Sequence, residues 1–488
     1  MRKRFEIQLE IGATPIEEIK IPTRSRDELP PVMAALKHIY TTPATNRRVF
    51  ELLERHIPLA KMGRWGMSLW EILVLGVVRL TLDCNYDRLE HVANYDGLVR
   101  QFFGIDSLGK TPKKYALQTL KDNVGLLTRE ILEEINQIVV QEGHKLSGKK
   151  KDDLLNLKID TYPVKSNVHF PTDINLLWDS CRKSIQIIKE LADTTGVKGW
   201  REAENWKRQT KNAFIRLNKL SKGGGKNKVT RKRKKTREYL RITRGISRKI
   251  DETLPEIKAR ISSDNIVEMF LMVELDYYKS MLDKHIDLVN RRILKDEKIP
   301  HSEKVFSIFE PHTEWIQKGK SGNRVDLGLN VLVATDQYGF CVYNHVCVQQ
   351  RDVALAVPTV AEIKRRYKTP IGSVSYDRGF WSPENYDKLN DMVDKVILPK
   401  KGRLNKNEYE REHTKTFVSL RHKHAAVESD INSLNHHGLY RCPDCGLDHF
   451  EQYVSLGVLA FNLHQLGNLL LTKKRKKKKR KPAVIYTA

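Results

Sequence analysis

Apolar and polar positions alternate along this chain of 488 residues with two different periods, and the changes of period mark where its parts begin and end. Up to about residue 60 the pattern is mixed, with helical spacing near residues 31–40 and 46–56. From Ser68 it sharpens. Ser68 with Glu71 three positions later is a capping box, in which hydroxyl and carboxylate satisfy the free N–H groups of a first turn, and it opens an apolar helix over residues 69–82. A short helix over 86–93, a segment at 97–103 and a long helix opened by Thr111-Pro112 follow. Short helices in such close succession suit a helix-turn-helix DNA reader, and equally a plain bundle used for dimerisation.

At residue 154 the period falls to two. Leu155, Leu157 and Ile159 alternate with Asn156, Lys158 and Asp160, which predicts a strand with one buried face and Asp160 on the other, near the strand's end. Thr172 and Asp173 follow Pro171 and predict a cap on a helix over 174–191. Residues 175–300 are helical in pattern, broken by Gly223-Gly224-Gly225 and the basic run 226–237, which reads as a loop. After it Ile266, Met269, Phe270, Val273 and Tyr277 recur at helical spacing. Strand signals return at 324, with a hairpin of 331–335 and 340–348 around Asp336-Gln337-Tyr338-Gly339. A helix over 357–367, a strand over 372–377, a helix over 383–389, a strand over 395–398 and a helix around Glu428 complete the order. In the second of these, Ser373, Ser375 and Asp377 share one face and Val374 and Tyr376 the other.

The length implies two to four structural units, and 40% apolar residues are enough to fold them. Charge changes the picture most. A net +27 argues against an enzyme of small metabolites and for a polyanionic partner, because neutralising phosphates releases condensed counterions. Six scattered cysteines suggest no disulfide framework and a reducing compartment, and the basic start Met1-Arg2-Lys3-Arg4 leads into no apolar segment of a signal peptide. The greasy stretch 454–471 is interrupted by Asn462, His464, Gln465 and Asn468, so it reads as an amphipathic helix and not a membrane span. Nine consecutive basic residues, 473–481, read as a mobile tail that binds phosphate without sequence preference. The expected location is the cytoplasm, associated with the nucleoid.

Phosphoryl transfer by two metal ions needs several carboxylates converging from adjacent strand ends and a facing helix. Asp160 and Asp377 end strand-like runs, and Glu428 lies on a helix whose buried stripe is Val427, Ile431 and Leu434, with His424 and Asn432 one turn away on the polar side. Asp173 is the rival first ligand, otherwise a helix cap, and Asp326 and Asp336 read as strand and turn residues. Cys442-Pro443-Asp444-Cys445 is one CxxC, with His436, His437 and His449 nearby; without a second pair it reads as a reduced loop more than as a zinc site. Arg231, Arg233 and Lys234 in the basic run, with Lys165, Arg378 and Arg421 near the acids, are candidates to hold DNA phosphates. Trp65, Trp70, Trp178, Trp200 and Trp206 read as core.

Several passages, in order, resemble bacterial insertion-sequence transposases with a DDE catalytic domain, of the ISNCY-type group. They are Ile159-Asp160-Thr161, His169-Phe170-Pro171-Thr172-Asp173, Gly319-Lys320, Val325-Asp326-Leu327-Gly328, Tyr376-Asp377-Arg378-Gly379-Phe380, His424 to Asn432, His436-His437-Gly438-Leu439 and Arg441-Cys442-Pro443-Asp444. The likeness covers most of residues 60–470. The strand and helix order likewise suits an RNase H-like α/β fold: a mixed sheet with flanking helices, preceded by an N-terminal helical domain and interrupted by a helical insertion. The expected division is 1–60 as an N-terminal arm, 61–150 as a helical DNA-binding domain, 151–180 and 319–472 as the core, 181–318 as the basic insertion, and 473–488 as the tail.

The resemblance implies a catalytic triad of Asp160, Asp377 and Glu428 that also binds Mg²⁺, with Mn²⁺ as substitute. It implies hydrolysis at the ends of a mobile element and attack of the freed 3′-hydroxyl on target DNA. The partners it implies are terminal inverted repeats, target DNA and further copies of the chain in a synaptic dimer or larger assembly. Some relatives carry a Tyr and an Arg ahead of the catalytic Glu; here Arg421 and His424 stand there without the Tyr, so those DNA-end contacts do not carry over. The competing readings are a non-catalytic DNA-binding protein of the same descent and a nuclease that only hydrolyses.

Overall fold

The computed structural model describes residues 4, 14–57, 66–105, 113–222, 227–262, 264–317 and 325–480. Thr111-Pro112, Trp65, Gly319-Lys320 and Gly223 to Lys226 lie outside them. The chain divides into two compact units, residues 1–167 with 316–488 and residues 168–315. The helices before residue 150 thus pack into one unit with the sheet, and the insertion begins at Val168 and ends at Trp315. A division at 181 would have cut through its first helix, Asp173–Thr195, which Thr172 caps by accepting from the Asn175 N–H.

The first unit is an α/β structure around a mixed sheet of seven strands: β1 (Leu155–Ser166), β2 (Glu314–Gln317), β3 (Val325–Thr335), β4 (Cys341–Cys347), β5 (Ile371–Ser375), β6 (Lys395–Ile397) and β7 (Arg441–Cys442). β1 is central. It runs antiparallel to β3, which pairs in turn with β4, and parallel to β5, which pairs with β6. Contrary to the sequence expectation, β1 does not end near Asp160 but continues to Ser166. Leu155, Leu157 and Ile159 are buried on one face, then Tyr162, Val164 and Ser166 on the other, so a single alternation seen from the sequence covers only the first half. Pro163 is tolerated because β5 pairs only with Leu155–Lys158 and β7 only with Lys165–Ser166, so at Pro163 the ladder partner is β3 alone.

The capping box forms as the spacing predicts: Ser68 and Glu71 close it, and every residue of the helix Leu69–Thr81 is buried. Its Arg79 would be a buried charge, but Asp444 receives both guanidinium arms at 2.6 and 2.7 Å. The helix Leu447–Arg480 is long and apolar enough to cross a membrane by length and composition alone, yet it packs on the helices Leu29–Thr41, Leu69–Thr81 and Arg129–Ser147 and on β4. A Cβ at Gly467 would lie 1.8 Å from the Pro31 carbonyl oxygen, so this approach requires glycine. The basic residues 473–480 extend that helix and do not form a separate tail.

The second unit is helical: Asp173–Thr195, Ala203–Lys222, Lys228–Arg260 and Ile266–Val289 enclose a core that includes Leu177, Leu217, Tyr239, Ile250, Leu275 and Leu282. Contrary to the loop expected of the basic run, residues 228–237 are helical. Lys and Arg are good helix formers, and Thr236, Tyr239, Leu240, Thr243, Ile246 and Ile250 give that helix its buried stripe while the cations face outward or pair.

Candidate active site

In the parallel register of β1 and β5, Lys158 lies beside Ser375. Two residues further along each chain stand Asp160 and Asp377, just past the last paired residues, where the charge of Asp377 acts on Asp160. Asp377 caps the short turn Arg378–Phe380, accepting from the Gly379 N–H at 2.7 Å, so it opens the turn and faces Asp160 at once. The Asp160 carboxylate accepts from the Thr161 N–H at 2.8 Å, and among the described residues no Lys, Arg or His pairs with it. Burial pushes its pKa up to about 7, and the negative charges of Asp377, Asp352 and Glu428 add to the rise against the Thr161 hydrogen bond.

Asp352 is the residue that sequence reasoning missed. It opens the helix Asp352–Tyr367, accepts from the Thr161 hydroxyl at 2.9 Å, and is itself raised by burial and by Asp377 against that bond. A Cβ at Gly379 would lie 2.9 Å from Asp352 Oδ2 and 3.0 Å from Asp377 Oδ1, so these two carboxylates flank one turn. The sequence reading starts this helix at 357, beside Pro358. Pro358 instead sits inside it on the exposed side, which hides Asp352 as a first-turn acid.

Glu428 occupies the first turn of the helix Ala426–Leu434, exposed, while Val427 and Leu434 are buried and Ile431 partly so, as the stripe predicts. Asp430 fixes this helix to the sheet, accepting from Lys158 Nζ at 2.6 Å and from the Thr335 hydroxyl at 2.7 Å. His424 is not on the Glu428 helix; it ends the preceding one, Lys415–His424, and Ala425 separates the two. Its Nδ1 lies 3.1 Å from the Ser375 hydroxyl oxygen, and burial holds it below the usual imidazole range despite Asp377 and Glu428. An open groove of about 670 Å³ runs along the same helix, lined by His413, Lys415, Val418, Ser419, His422 and Lys423.

The remaining candidates separate. Arg378 is exposed next to Asp377, and Arg421, exposed in the last turn before His424, adds to the lowering of the His424 pKa. Lys165 does not stand by the acids: it lies five residues along β1 from Asp160, 3.5 Å from Asp326 and over the Tyr440 ring at 3.8 Å. Asp326 is accordingly a strand residue, and Asp336 organises the β3–β4 turn by accepting from the Tyr338 and Phe340 N–H groups. Asp173, Arg231, Arg233 and Lys234 belong to the helical unit. There Arg292 meets Asp173 at 2.7 Å, Arg233 pairs with Asp296, and Arg231 and Lys234 are exposed. Trp70 and Trp200 are buried core residues.

The CxxC forms a clamp. Cys442 is buried on β7, Cys445 is exposed, and Asp444 between them takes Arg79. His437 faces His464 at 3.0 Å, its pKa lowered to about 4 by burial and by His464. Among the described residues no three His, Cys, Asp or Glu side chains form a ready-made metal cage. Carboxylates are nevertheless the donors that a hard divalent cation takes, and Mg²⁺ needs only one or two of them beside water and substrate phosphate. Compared with protein-family models, with curated proteins and with solved structures, the chain has no match, so the site stands on its own geometry.

Proposed function

We propose that the protein is a DNA transposase with an RNase H-like core that cleaves the ends of a mobile element and joins the freed 3′-hydroxyl to target DNA. The observation that carries the reading is the crowding of Asp160 by Asp352, Asp377 and Glu428 at one end of the β1–β5 pair, with no cation on Asp160. A fold does not keep such repulsion for stability's sake, and uncompensated acids set together are a signature of chemistry. The sheet order supports the fold assignment: a central strand with an antiparallel meander on one side and parallel strands reached through helices on the other. The net charge of +27 supports the substrate class.

Asp160, Asp377 and Glu428 would hold the ions, Mg²⁺ or Mn²⁺, with Asp352 beside them. Bound there, a divalent cation supplies a lowered pKa for the attacking hydroxyl and charge stabilisation on the phosphate. Asp430, bonded to Lys158 and Thr335, keeps the Glu428 helix at its distance from the strands. Neutral His424, held at Ser375, adds no positive charge to compete for the acids. Arg378 and Arg421, with Lys415 and Lys423 in the groove, take backbone phosphates of terminal inverted repeats and target DNA, in an assembly of two or more copies working at the nucleoid.

The test is incubation with a labelled duplex carrying the element's own end. Nicking at the boundary is expected with Mg²⁺ and is lost in EDTA. It falls by about a thousandfold or more in Asp377→Ala and Glu428→Gln while duplex binding persists. Tight binding with no nick in any divalent metal would replace this reading with a non-catalytic DNA-binding protein, and nicking without strand joining would leave a nuclease.

A further inference from the structure

Helical spacing of apolar residues ordinarily marks the side a helix buries. The helix Ile266–Val289 departs from that rule. Its Leu271, Met272, Leu275, Tyr278 and Leu282 face the core of the helical unit. On its other side Ile266 is 79% exposed, Met269 50%, Phe270 68% and Val273 69%, with Val267 at 67% beside them. At 100° per residue Ile266, Met269, Phe270 and Val273 fall within one sector, followed on the same line by half-buried Tyr277. The five exposed side chains, Ile266, Val267, Met269, Phe270 and Val273, form one apolar patch on the helical unit.

The charge around the patch narrows what can cover it. The chain carries 87 Lys and Arg, yet none lies between Ile266 and Tyr278, where the charged residues are buried Glu268, Asp276, and Glu274, the last neutralised by Lys183 of a neighbouring helix at 3.1 Å. Phosphate-rich surfaces, nucleic acid or anionic lipid, are therefore disfavoured here. We propose that this face binds the same face of a second copy of the chain, the two helices crossing about a two-fold axis near Phe270 and Val273. Area supports that occupant. The exposed parts of the five side chains amount to roughly 600 Å² per copy, so two copies remove on the order of 1,200 Å² from water, at the threshold of a specific interface. A two-fold contact pairs the same patch of both copies, so apolar side chains meet apolar side chains, and Glu274 and Asp276 belong at its rim in contact with water. The face lies wholly within the helical unit and owes nothing to Asp160, Asp377 or Glu428, so it names the surface of self-association independently of the catalytic reading.

Sedimentation equilibrium of the full chain, without DNA and in EDTA, tests it. The wild-type chain is expected to be dimeric at about 10 µM, and Phe270→Glu with Val273→Glu to raise the dissociation constant about a hundredfold or more. Because both positions are exposed, the thermal midpoint of the double variant extrapolated to low concentration should match that of the wild-type chain, which separates lost association from lost folding. A chain that is monomeric through this range overturns the proposal, as does a dimer whose dissociation constant the double variant leaves unchanged. Neither outcome touches the nicking experiment, which reads the acids.

Discussion

The two units treat their acids in opposite ways. In the helical unit Asp179 is buried with His169 at 2.5 Å and Arg182 at 3.0 Å, Asp173 has Arg292, and buried Lys279 lies between Asp251 and Asp283. Charge there is matched locally, as a fold under selection for stability arranges it. In the sheet unit the buried cations and acids away from the site are matched as well, Arg79 by Asp444 and Asp336 by His144. At the open edge of β1 the rule fails, and Asp160 is set among three further acids. The contrast teaches where to look for chemistry: an unfavourable arrangement beside favourable ones marks a candidate site.

Amide substitutions break or sharpen this contrast most directly. Asp179→Asn removes the partner of half-exposed His169 and Arg182 and should destabilise the helical unit by about 1–2 kcal/mol. Asp160→Asn removes a repelled carboxylate and should stabilise the metal-free sheet unit by roughly 1–2 kcal/mol. Urea unfolding followed unit by unit by hydrogen exchange measures both, and equal signs for the two variants would dissolve the comparison.

The pH dependences should also oppose one another. Asp160, with its ordinary value of 3.8 raised to about 7 in the fold, binds more protons folded than unfolded. Its contribution to stability is complete below pH 4 and is lost as pH rises through 7. His285 in the helical unit is lowered by burial from 6.5 to about 4, so its contribution is complete above pH 6.5 and is lost as pH falls through 4. In EDTA, protection of the sheet unit should therefore weaken from pH 5 to 8, and the slope should flatten in Asp160→Asn. The smallest effect expected is in the groove beside the site. Lys415→Ala with Lys423→Ala should lower duplex affinity about tenfold at low salt and reduce the salt slope by about two. An unchanged slope would place the DNA elsewhere.

Legibility followed the range of the forces involved. The capping box at Ser68 and Glu71, the β3–β4 hairpin with its Asp336 turn, and the stripe of Val427, Ile431 and Leu434 were all readable, because each is written in residues a few positions apart. Asp160, Asp377 and Glu428 could be nominated from such patterns. Their meeting could not, since it depends on the parallel register that sets Lys158 beside Ser375. Asp352 stayed hidden because its role comes from the Thr161 hydroxyl and the Gly379 turn, distant in sequence. Lys165 looked close to the acids in sequence and is turned by the strand toward Asp326 and Tyr440.

By itself the sequence determined the α/β class, the approximate places of most helices and strands, and the net positive charge, since periodicity and composition act locally or by simple sums. Only the tertiary structure decided that β1 runs past Asp160, that the insertion starts at Val168, and that residues 228–237 are helical. It alone decided, too, that the stripe from Ile266 to Val273 faces outward while its helix buries the opposite side. The physical reason is common to all of them: spacing fixes which residues share a face, and only packing against the rest of the chain fixes what that face meets.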